Sequence, residues 1–285
     1  MALPVAGPTP PAADDATEAL ELDLLLEGIF RRFGYDFRGY AGASLKRRLW
    51  KRTSLEGLTT LTALLDRVLH DEECLVRLLK DLSINVTEMF RDPSFFRALR
   101  VKVFPQLRTY PFLRIWVAGC STGEEVISLA VALCEEDLLE RTRIYATDMN
   151  DAALHRARRF AVPAAELTTY KDNYARAGGS GNMEAHYDID GEWAVFDRRL
   201  SQGVVFAQHN LASDRSFNEF HMILCRNVMI YFGRELQRHV HELFLDSLVP
   251  LGHLGLGRKE AISDAEIAER YESLDPAEKL FRRRG

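Results

Sequence analysis

The feature that most restricts the fold is the alternation of strand-like and helix-like segments from Arg114 onward. The apolar runs RIWVA and RIYATD are each followed by a helix-like segment, GEEVISLAVALCEE and DAALHRARR respectively. Later segments are strand-like GVVFAQHNL and HMILCRNVMIYF, helix-like ELQRHVHELFLDSL and strand-like LGHLGLG. This alternation predicts an α/β fold with a mostly parallel sheet and helices on both faces.

The region before that alternation, from about Thr17 to Leu82, shows helical patterning only. A first helix is predicted by apolar residues at helical spacing, which are Leu20, Leu24, Leu25, Ile29 and Phe33. The string GYDF then interrupts the pattern, and we expect further helices over residues 44–53, 59–69 and 72–82. Together these segments predict a small helical bundle.

Three further segments have their own signals. The first sixteen residues hold four prolines and no basic residue, so we expect a flexible tail that is not a secretion signal. At Asp92 and Pro93 we expect a new helix, with the aspartate as its cap and the proline in its first turn. Between Tyr174 and Arg199, the pair HYDID and EWAVF about a glycine predicts a small antiparallel β-subdomain.

The composition excludes several functional classes. The formal net charge is −5, which does not suit a general nucleic-acid binder. The four cysteines are far apart and form no C-x-x-C pair, so we expect free thiols and no metal site. No apolar run approaches the length that crosses a membrane. We therefore expect a soluble, cytoplasmic and monomeric protein without direct membrane insertion.

A candidate ligand-binding loop follows the first strand, from Ala118 to Gly123, with Asp148 at the end of the second strand. Ligands of doubly wound sheets bind beyond the carboxyl ends of the strands, and an acid at the second strand end commonly binds ribose hydroxyls. The loop is neither G-x-G-x-x-G nor a Walker sequence, which disfavours a nicotinamide or a nucleoside triphosphate. A tight turn with capping hydroxyls is the alternative interpretation.

The glutamates Glu124 and Glu125 narrow the choice of ligand. Carboxylates at a helix N-terminus are favourable through the helix dipole alone, which is one explanation for both. A carboxylate there would also repel a pyrophosphate and suit a cationic ligand. S-adenosylmethionine carries an ammonium group, a sulfonium and a ribose, so it fits this combination.

Five strings then resemble one family in order and spacing. They are NVTEMFRDPSFF, AGCSTGEEVISLA, ATDMN, HNL and CRNVMIYF, followed by LGLGRKEAISDAE near the end. This pattern closely resembles the CheR-type chemotaxis-receptor methyltransferases, which methylate receptor glutamates with S-adenosylmethionine. The resemblance implies a helical domain over residues 17–90 and a Rossmann-like class I methyltransferase domain over residues 91–285. A small antiparallel β-subdomain is implied at about residues 174–200.

The resemblance also implies site residues. It implies cofactor contacts from the side chains or backbone of Asn85, Thr87, Arg91, Ala118, Gly119, Glu125, Asp148, Asn210, Leu211, Arg226 and Asn227. It places Arg91 and Tyr231 near the reacting methyl group and the substrate carboxylate, as the catalytic candidates. The residues alone leave plainer alternatives open, because Asn85 or Thr87 can cap a turn and Arg226 can pair with an acid in a buried strand end.

A basic run in the helical region suggests how a protein substrate binds. Between Arg31 and Arg52 there are eight basic residues against the single acid Asp36. We expect Arg47, Arg48, Lys51 and Arg52 to bind the acidic helices of a receptor's cytoplasmic domain. A solvated helix face is the alternative, and nucleic acid is disfavoured because no stacking aromatics are interleaved with the basic residues.

Two other functions remain as competitors. One is a methyltransferase for a different acceptor, such as RNA or a small molecule, and the other is a catalytically silent module that binds the cofactor. Some relatives grip a peptide tether of the receptor through the β-subdomain. Because the insert here is longer and differently composed, we expect no dependence on a tether.

Overall fold

The computed structural model describes residues 15–82 and 87–285. These residues form two units, one within Met1–Ile84 and one within Asn85–Gly285. The sequence predicts a domain boundary between residues 90 and 91, whereas Met89 and Phe90 are fully buried in the core of the second unit. Most of the predicted tail lies outside the described residues, but Asp15 and Ala16 belong to the first helix.

The first unit is helical, as the periodicity predicts. Its helices are α1 (Asp15–Phe33), α2 (Gly42–Leu55), α3 (Leu61–His70) and α4 (Glu72–Leu82). Gly34 follows α1 with a φ of +80°, and its N–H bonds to the Phe30 carbonyl at 2.8 Å. Glycine adopts this left-handed conformation at little cost, so the GYDF string ends the helix where the sequence predicts.

The buried face of α1 differs from the predicted one. Leu25 and Ile29 are fully buried, but Leu20 and Leu24 are 59% and 48% exposed. Leu26, which the prediction omitted, is buried instead. The apolar residues around α1 cover more than one stripe, so spacing alone could not identify the face that packs against α3.

The second unit contains the predicted α/β sheet. Its strands are β1 (Leu113–Ala118), β2 (Thr142–Asp148), β6 (Val204–Gln208), β7 (Phe220–Cys225), β8 (Leu248–Leu256), β9 (Tyr271–Asp275) and β10 (Leu280–Arg283). They lie in the order β6-β2-β1-β7-β8-β10-β9. The pairings from β6 to β8 are parallel, and β10 runs antiparallel to both neighbours. The prediction of a mostly parallel sheet is therefore confirmed, and the hairpin of β9 and β10 is an addition to it.

The helices of this unit are distributed among the strands along the chain. They are α5 (Pro93–Ala98), α6 (Phe104–Leu107), α7 (Glu124–Glu135), α8 (Asp151–Ala157), α9 (Leu167–Arg176), α10 (Arg198–Ser201), α11 (Arg234–Ser247) and α12 (Ala265–Ala268). A π-helical turn at Leu99–Val103 joins α5 to α6. Strand β1 shows how both faces are covered. Ile115 belongs to one core cluster with residues of α7, while Trp116 faces the opposite way and its ring lies 5.5 Å from that of Phe244 in α11.

The small antiparallel sheet is present, with boundaries that differ from the prediction. The hairpin of β4 (Tyr187–Asp190) and β5 (Trp193–Phe196) turns at Gly191, as expected. A third strand, β3 (Ala161–Pro163), pairs with β5 and lies well before the predicted start at Tyr174. Tyr174 itself lies in α9. A strand of three residues that ends in proline is too short for a periodic signal, so the sequence could not show it.

Among the described residues, no helix combines the length and apolarity that a membrane span requires.

Two buried histidines predict how stability depends on pH. His241 in α11 and His253 in β8 are each 2% exposed, and burial lowers the pKa of each from 6.5 to about 4. Between about pH 4 and pH 6.5, these histidines bind more protons in the unfolded chain than in the folded one. The free energy of unfolding therefore falls as the pH drops from about 6.5 towards 4, by about 1–3 kcal/mol for each histidine.

Urea unfolding at about pH 7 and about pH 5 measures this effect. The variant His241→Leu removes one titrating group and should reduce the difference between the two pH values. An unchanged difference would show that carboxylates, and not His241, dominate the pH dependence.

Candidate functional site

The glycine loop after β1 touches the turn after β7. Gly119 has a φ of +74°, and its N–H bonds to the Thr147 carbonyl at 2.8 Å. A Cβ atom on Gly119 would lie 2.4 Å from Cγ2 of Val228. No side chain can occupy that space, so glycine allows the two loops to lie in contact at the carboxyl edge of the sheet. Ala118 lies buried beside it.

Asp148 joins the end of β2 to the same loop. Its carboxylate oxygens accept the N–H groups of Ser121 at 2.8 Å and Asn150 at 2.9 Å. Burial raises the pKa of Asp148 in spite of these bonds. Each carboxylate oxygen has two lone pairs, so the group can also accept hydrogen bonds from a ligand. The aspartate therefore fixes the conformation of the loop. The sequence additionally predicts that it binds a ribose.

Three sequence motifs meet at the guanidinium of Arg226, in a group that we call the Arg226 cluster. Its Nη1 donates to Oε2 of Glu125 at 2.6 Å, and its Nη2 donates to Oδ2 of Asp92 at 2.8 Å and to the Arg91 carbonyl at 3.0 Å. The guanidinium also lies 4.1 Å from the ring centroid of Phe95. The Arg226 side chain is only 1% exposed, so both ion pairs are shielded from water.

Asp92 does not cap α5 as the sequence predicts. It precedes the helix with a φ of +54°, and its side chain makes no capping hydrogen bond. Helix caps normally have an extended backbone that directs the side chain at the first free amides. Here the backbone is left-handed, and the carboxylate bonds the buried Arg226 instead.

Glu124 and Glu125 have different surroundings despite their shared place in the first turn of α7. Glu125 faces Arg226, whereas Glu124 is 7% exposed and its Oε2 accepts the Thr122 hydroxyl at 2.6 Å. Burial raises the pKa of Glu124. Of the two, only Glu125 therefore belongs to the Arg226 cluster.

Glu260 is a buried residue that the sequence analysis missed. Its Oε1 accepts the N–H groups of Val228 at 2.9 Å and Met229 at 2.8 Å, and its Oε2 accepts those of Asn227 at 3.0 Å and Gly257 at 2.5 Å. The residue is 4% exposed, and burial raises its pKa. Three of these bonds hold the turn after Arg226, where Asn227 has a φ of +61°, and the fourth joins Glu260 to Gly257 in its own loop. Glu260 lies in the string LGLGRKEAISDAE, which was recognised only as part of the resemblance.

Two amide side chains each have a buried polar atom with no partner among residues 15–82 and 87–285. These atoms are Oδ1 of Asn227, an acceptor, and Nδ2 of Asn210, a donor. The side-chain oxygen of Asn210, Oδ1, already accepts the N–H of Ala212 at 3.0 Å. Buried polar atoms are rarely left unpaired in folded proteins. One free donor, one free acceptor and the carboxylates of Asp148 and Glu125 suit a ligand with hydroxyl, amino and cationic groups, so the residues fit S-adenosylmethionine.

The other predicted site residues differ in how far they are buried. Thr87, Arg91 and Tyr231 are half-buried, and Leu211 is buried. Tyr231 ends a short 3₁₀ turn at Met229–Tyr231. Asn85 lies outside the described residues.

The four predicted docking residues, which all lie in α2, fall into two groups. Arg48 donates to the Leu82 carbonyl at 2.9 Å, and Arg52 pairs with Asp81 and Glu56. Both are half-buried in the helical unit. Arg47 and Lys51 are exposed and have no carboxylate partner within the part of the chain that the structure describes. The predicted docking set therefore contains two residues that stabilise the helices and two that are free for a partner.

Sequence comparisons identify similar proteins over most of the chain. The family model described as "CheR methyltransferase, SAM binding domain" matches residues 85–277, and "CheR methyltransferase, all-alpha domain" matches residues 20–83. The "Putative methyltransferase Cher3" of Pseudomonas putida is 44% identical over 93% of this chain and 97% of its own length. "Chemotaxis protein methyltransferase 1" of Pseudomonas aeruginosa is 31% identical over 76% of this chain and 81% of its own. A "Chemotaxis protein methyltransferase" of Listeria monocytogenes is 27% identical over 81% and 86%, respectively.

Proposed function

The chain belongs to the CheR methyltransferase family, and from that premise we propose that it methylates glutamate side chains of methyl-accepting chemotaxis receptors. The observation that carries this proposal is the Arg226 cluster, in which three motifs meet. Asn210 and Asn227 each add a buried polar atom that has no partner among the described residues. S-adenosylmethionine, when bound, supplies a methyl group that its sulfonium makes electrophilic. The proposed partner is the cytoplasmic helical domain of such a receptor, bound by a monomer in the cytoplasm and without a tether or a metal.

The acceptor requires no general base. A glutamate carboxyl group titrates near pH 4.3, so it is already an anion at neutral pH. A cation and an anion lose their charges as they react, and water stabilises the separated charges more than the transition state. The protein can therefore contribute by excluding water and by aligning the reacting groups, which is worth several kcal/mol and up to about 7–11 kcal/mol in ideal systems.

Each part of the site has a proposed task. Asp148 and Glu125 bind the hydroxyl and cationic groups of the cofactor, and Asn210 and Asn227 bind its remaining polar atoms. Arg226 acts by holding Glu125, because its guanidinium is already bonded to two carboxylates and a carbonyl. Arg91 and Tyr231 orient the acceptor carboxylate through single hydrogen bonds, because a bidentate grip would weaken the nucleophile.

The decisive test is transfer of tritiated methyl groups to a receptor cytoplasmic fragment. We expect a labelled product that loses its label in mild base, because methyl esters hydrolyse there and methylamines do not. Calorimetry with S-adenosylhomocysteine tests the cofactor site independently. A protein that binds this product but labels no receptor fragment would contradict the proposed acceptor, and a base-stable product would indicate an amine acceptor.

The basic surface of α2 gives a second prediction. The variant Arg47→Glu/Lys51→Glu reverses two exposed charges that have no carboxylate partner in the described chain, so the helices should stay folded. We expect kcat/KM for a receptor fragment to fall roughly tenfold at low salt, because charge complementarity speeds association. Affinity for S-adenosylhomocysteine should not change.

A control is Lys80→Glu, which reverses a single exposed charge on α4 of the same unit. Equal kcat/KM in the wild type, the double variant and the control at low salt would remove the docking role of α2.

A further inference from the structure

Three arginines from separate elements line one groove on the methyltransferase unit, which we call the arginine groove. Arg97 comes from α5, Arg176 from the end of α9 and Arg258 from the loop after β8. The groove encloses about 390 Å³ and is also lined by Glu88, Asp92, Pro93, Ser94 and Asn173. All three arginines are exposed. No task in the proposed cofactor site uses any of them.

The charges of the groove are only partly neutralised. Arg258 donates to Glu278 at 3.1 Å and lies 3.8 Å from Asp92. Arg97 donates to the Arg176 carbonyl at 2.9 Å. Among residues 15–82 and 87–285, neither Arg97 nor Arg176 has a carboxylate partner. Two guanidinium groups are therefore available to an anion from solution.

The groove adjoins the proposed reaction site through Asp92. One oxygen of this carboxylate lies towards Arg258 in the groove, and the other bonds Arg226. Arg91, next in the chain, is the residue proposed to orient the acceptor carboxylate. The groove therefore shares Asp92 with the Arg226 cluster of the proposed cofactor site.

We propose that the arginine groove binds a second acidic side chain of the protein acceptor, close in space to the glutamate that is methylated. This inference rests on the proposed function and adds a determinant of acceptor specificity to it. The guanidinium groups match carboxylates well. Glu88 and Asp92 in the groove would repel a dense run of phosphates more strongly than a single carboxylate, so an acidic side chain is favoured over nucleic acid.

The test compares two double variants of the full chain. Arg97→Glu/Arg176→Glu reverses the free charges of the groove. Arg143→Glu/Arg198→Glu reverses two exposed arginines outside the groove, in β2 and α10, and is matched in charge. Binding of a short fluorescein-labelled poly-L-glutamate peptide is measured by anisotropy at low salt. Steady-state methylation of a receptor fragment is measured in parallel.

We expect the groove variant to bind the peptide roughly tenfold more weakly and to raise KM for the receptor fragment by a similar factor. Its kcat and its affinity for S-adenosylhomocysteine should stay at the wild-type level, and the control variant should match the wild type throughout. Equal losses in both double variants would overturn the proposal, because they would reflect net charge alone. A larger loss for a labelled oligonucleotide than for the peptide would also overturn it, in favour of nucleic acid.

These measurements separate the two proposals. If the wild type labels no receptor fragment but the groove variant alone loses peptide binding, the binding role of the groove is supported and the proposed methyl acceptor is wrong. If the wild type labels the fragment and the groove variant matches it in KM and in peptide binding, the groove proposal fails and the function stands.

Discussion

The substitution Arg226→Met should lower the free energy of unfolding by about 3–5 kcal/mol, because it leaves two shielded carboxylates without their cation. Those carboxylates belong to Glu125 and Asp92, whose side chains are 13% and 24% exposed. Methionine is similar in length and apolar, so the effect should come from lost charge and hydrogen bonds rather than from a cavity. Urea unfolding at neutral pH measures the change.

The same substitution should weaken binding of S-adenosylhomocysteine about 30- to 100-fold, since Glu125 loses the bond that fixes its position. Calorimetry should be run at a temperature at which circular dichroism shows the variant folded. Arg226→Lys is the matched control. It keeps the charge but not the planar fork, so it should recover part of the stability and little of the affinity. Wild-type stability and affinity in Arg226→Met would show that the Arg226 cluster does not support the site.

The substitution Glu260→Gln should cause the second largest loss of stability and of affinity for S-adenosylhomocysteine. Each carboxylate oxygen accepts two backbone N–H groups, and an amide can present an oxygen to only one of these pairs. The amide nitrogen would then face two donors, which should cost about 2–4 kcal/mol of unfolding free energy. The turn at Asn227 should loosen as well, so affinity for S-adenosylhomocysteine should fall about tenfold.

A control for Glu260→Gln is Glu278→Gln, which changes another glutamate of the same region. Glu278 bonds the exposed Arg258 and no backbone N–H of the turn, so its loss should cost less than about 1 kcal/mol. Urea unfolding and calorimetry on both variants give the comparison. Similar losses of stability and affinity in the two variants would show that Glu260 does not specifically stabilise the turn after Arg226.

Much of the fold was predictable because it depends on local patterns. The apolar run of β1, the small-residue loop and the helix-like α7 follow one another without interruption, and the same order recurs at β2 and α8. Runs that are buried on both faces are typical of central parallel strands. The hairpin at Gly191 also has a local turn signal. By contrast, β3 has three residues, β9 follows a four-residue helix and β10 follows a short turn, so the assignment of these strands depends on their pairing partners.

The site residues that the sequence names stay predictions, and the structure adds contacts among them that the sequence does not show. Asp148 ends a recognisable strand, and its place beside the glycine loop follows from the order of a parallel sheet. The Arg226 cluster instead joins residues 101 and 134 positions apart in sequence. The pairing of Arg226 with Glu125, the left-handed Asp92 and the four amide bonds of Glu260 cannot be foreseen from spacing, because each depends on the positions of distant backbone segments.

The sequence by itself therefore determined the main element types and the family, since these follow from short-range periodicity, turn chemistry and motif strings, whereas the carboxyl-edge location of the site stays a prediction. Only the tertiary structure decided which charges are used within the fold and which remain available. Arg48 and Arg52 bond within the helical unit, while Arg47 and Lys51 have no carboxylate partner in the described part of the chain, although all four lie within one helix. The physical reason is that the strength and the availability of a charge depend on burial and on partners brought together by folding, and neither is encoded in local sequence spacing.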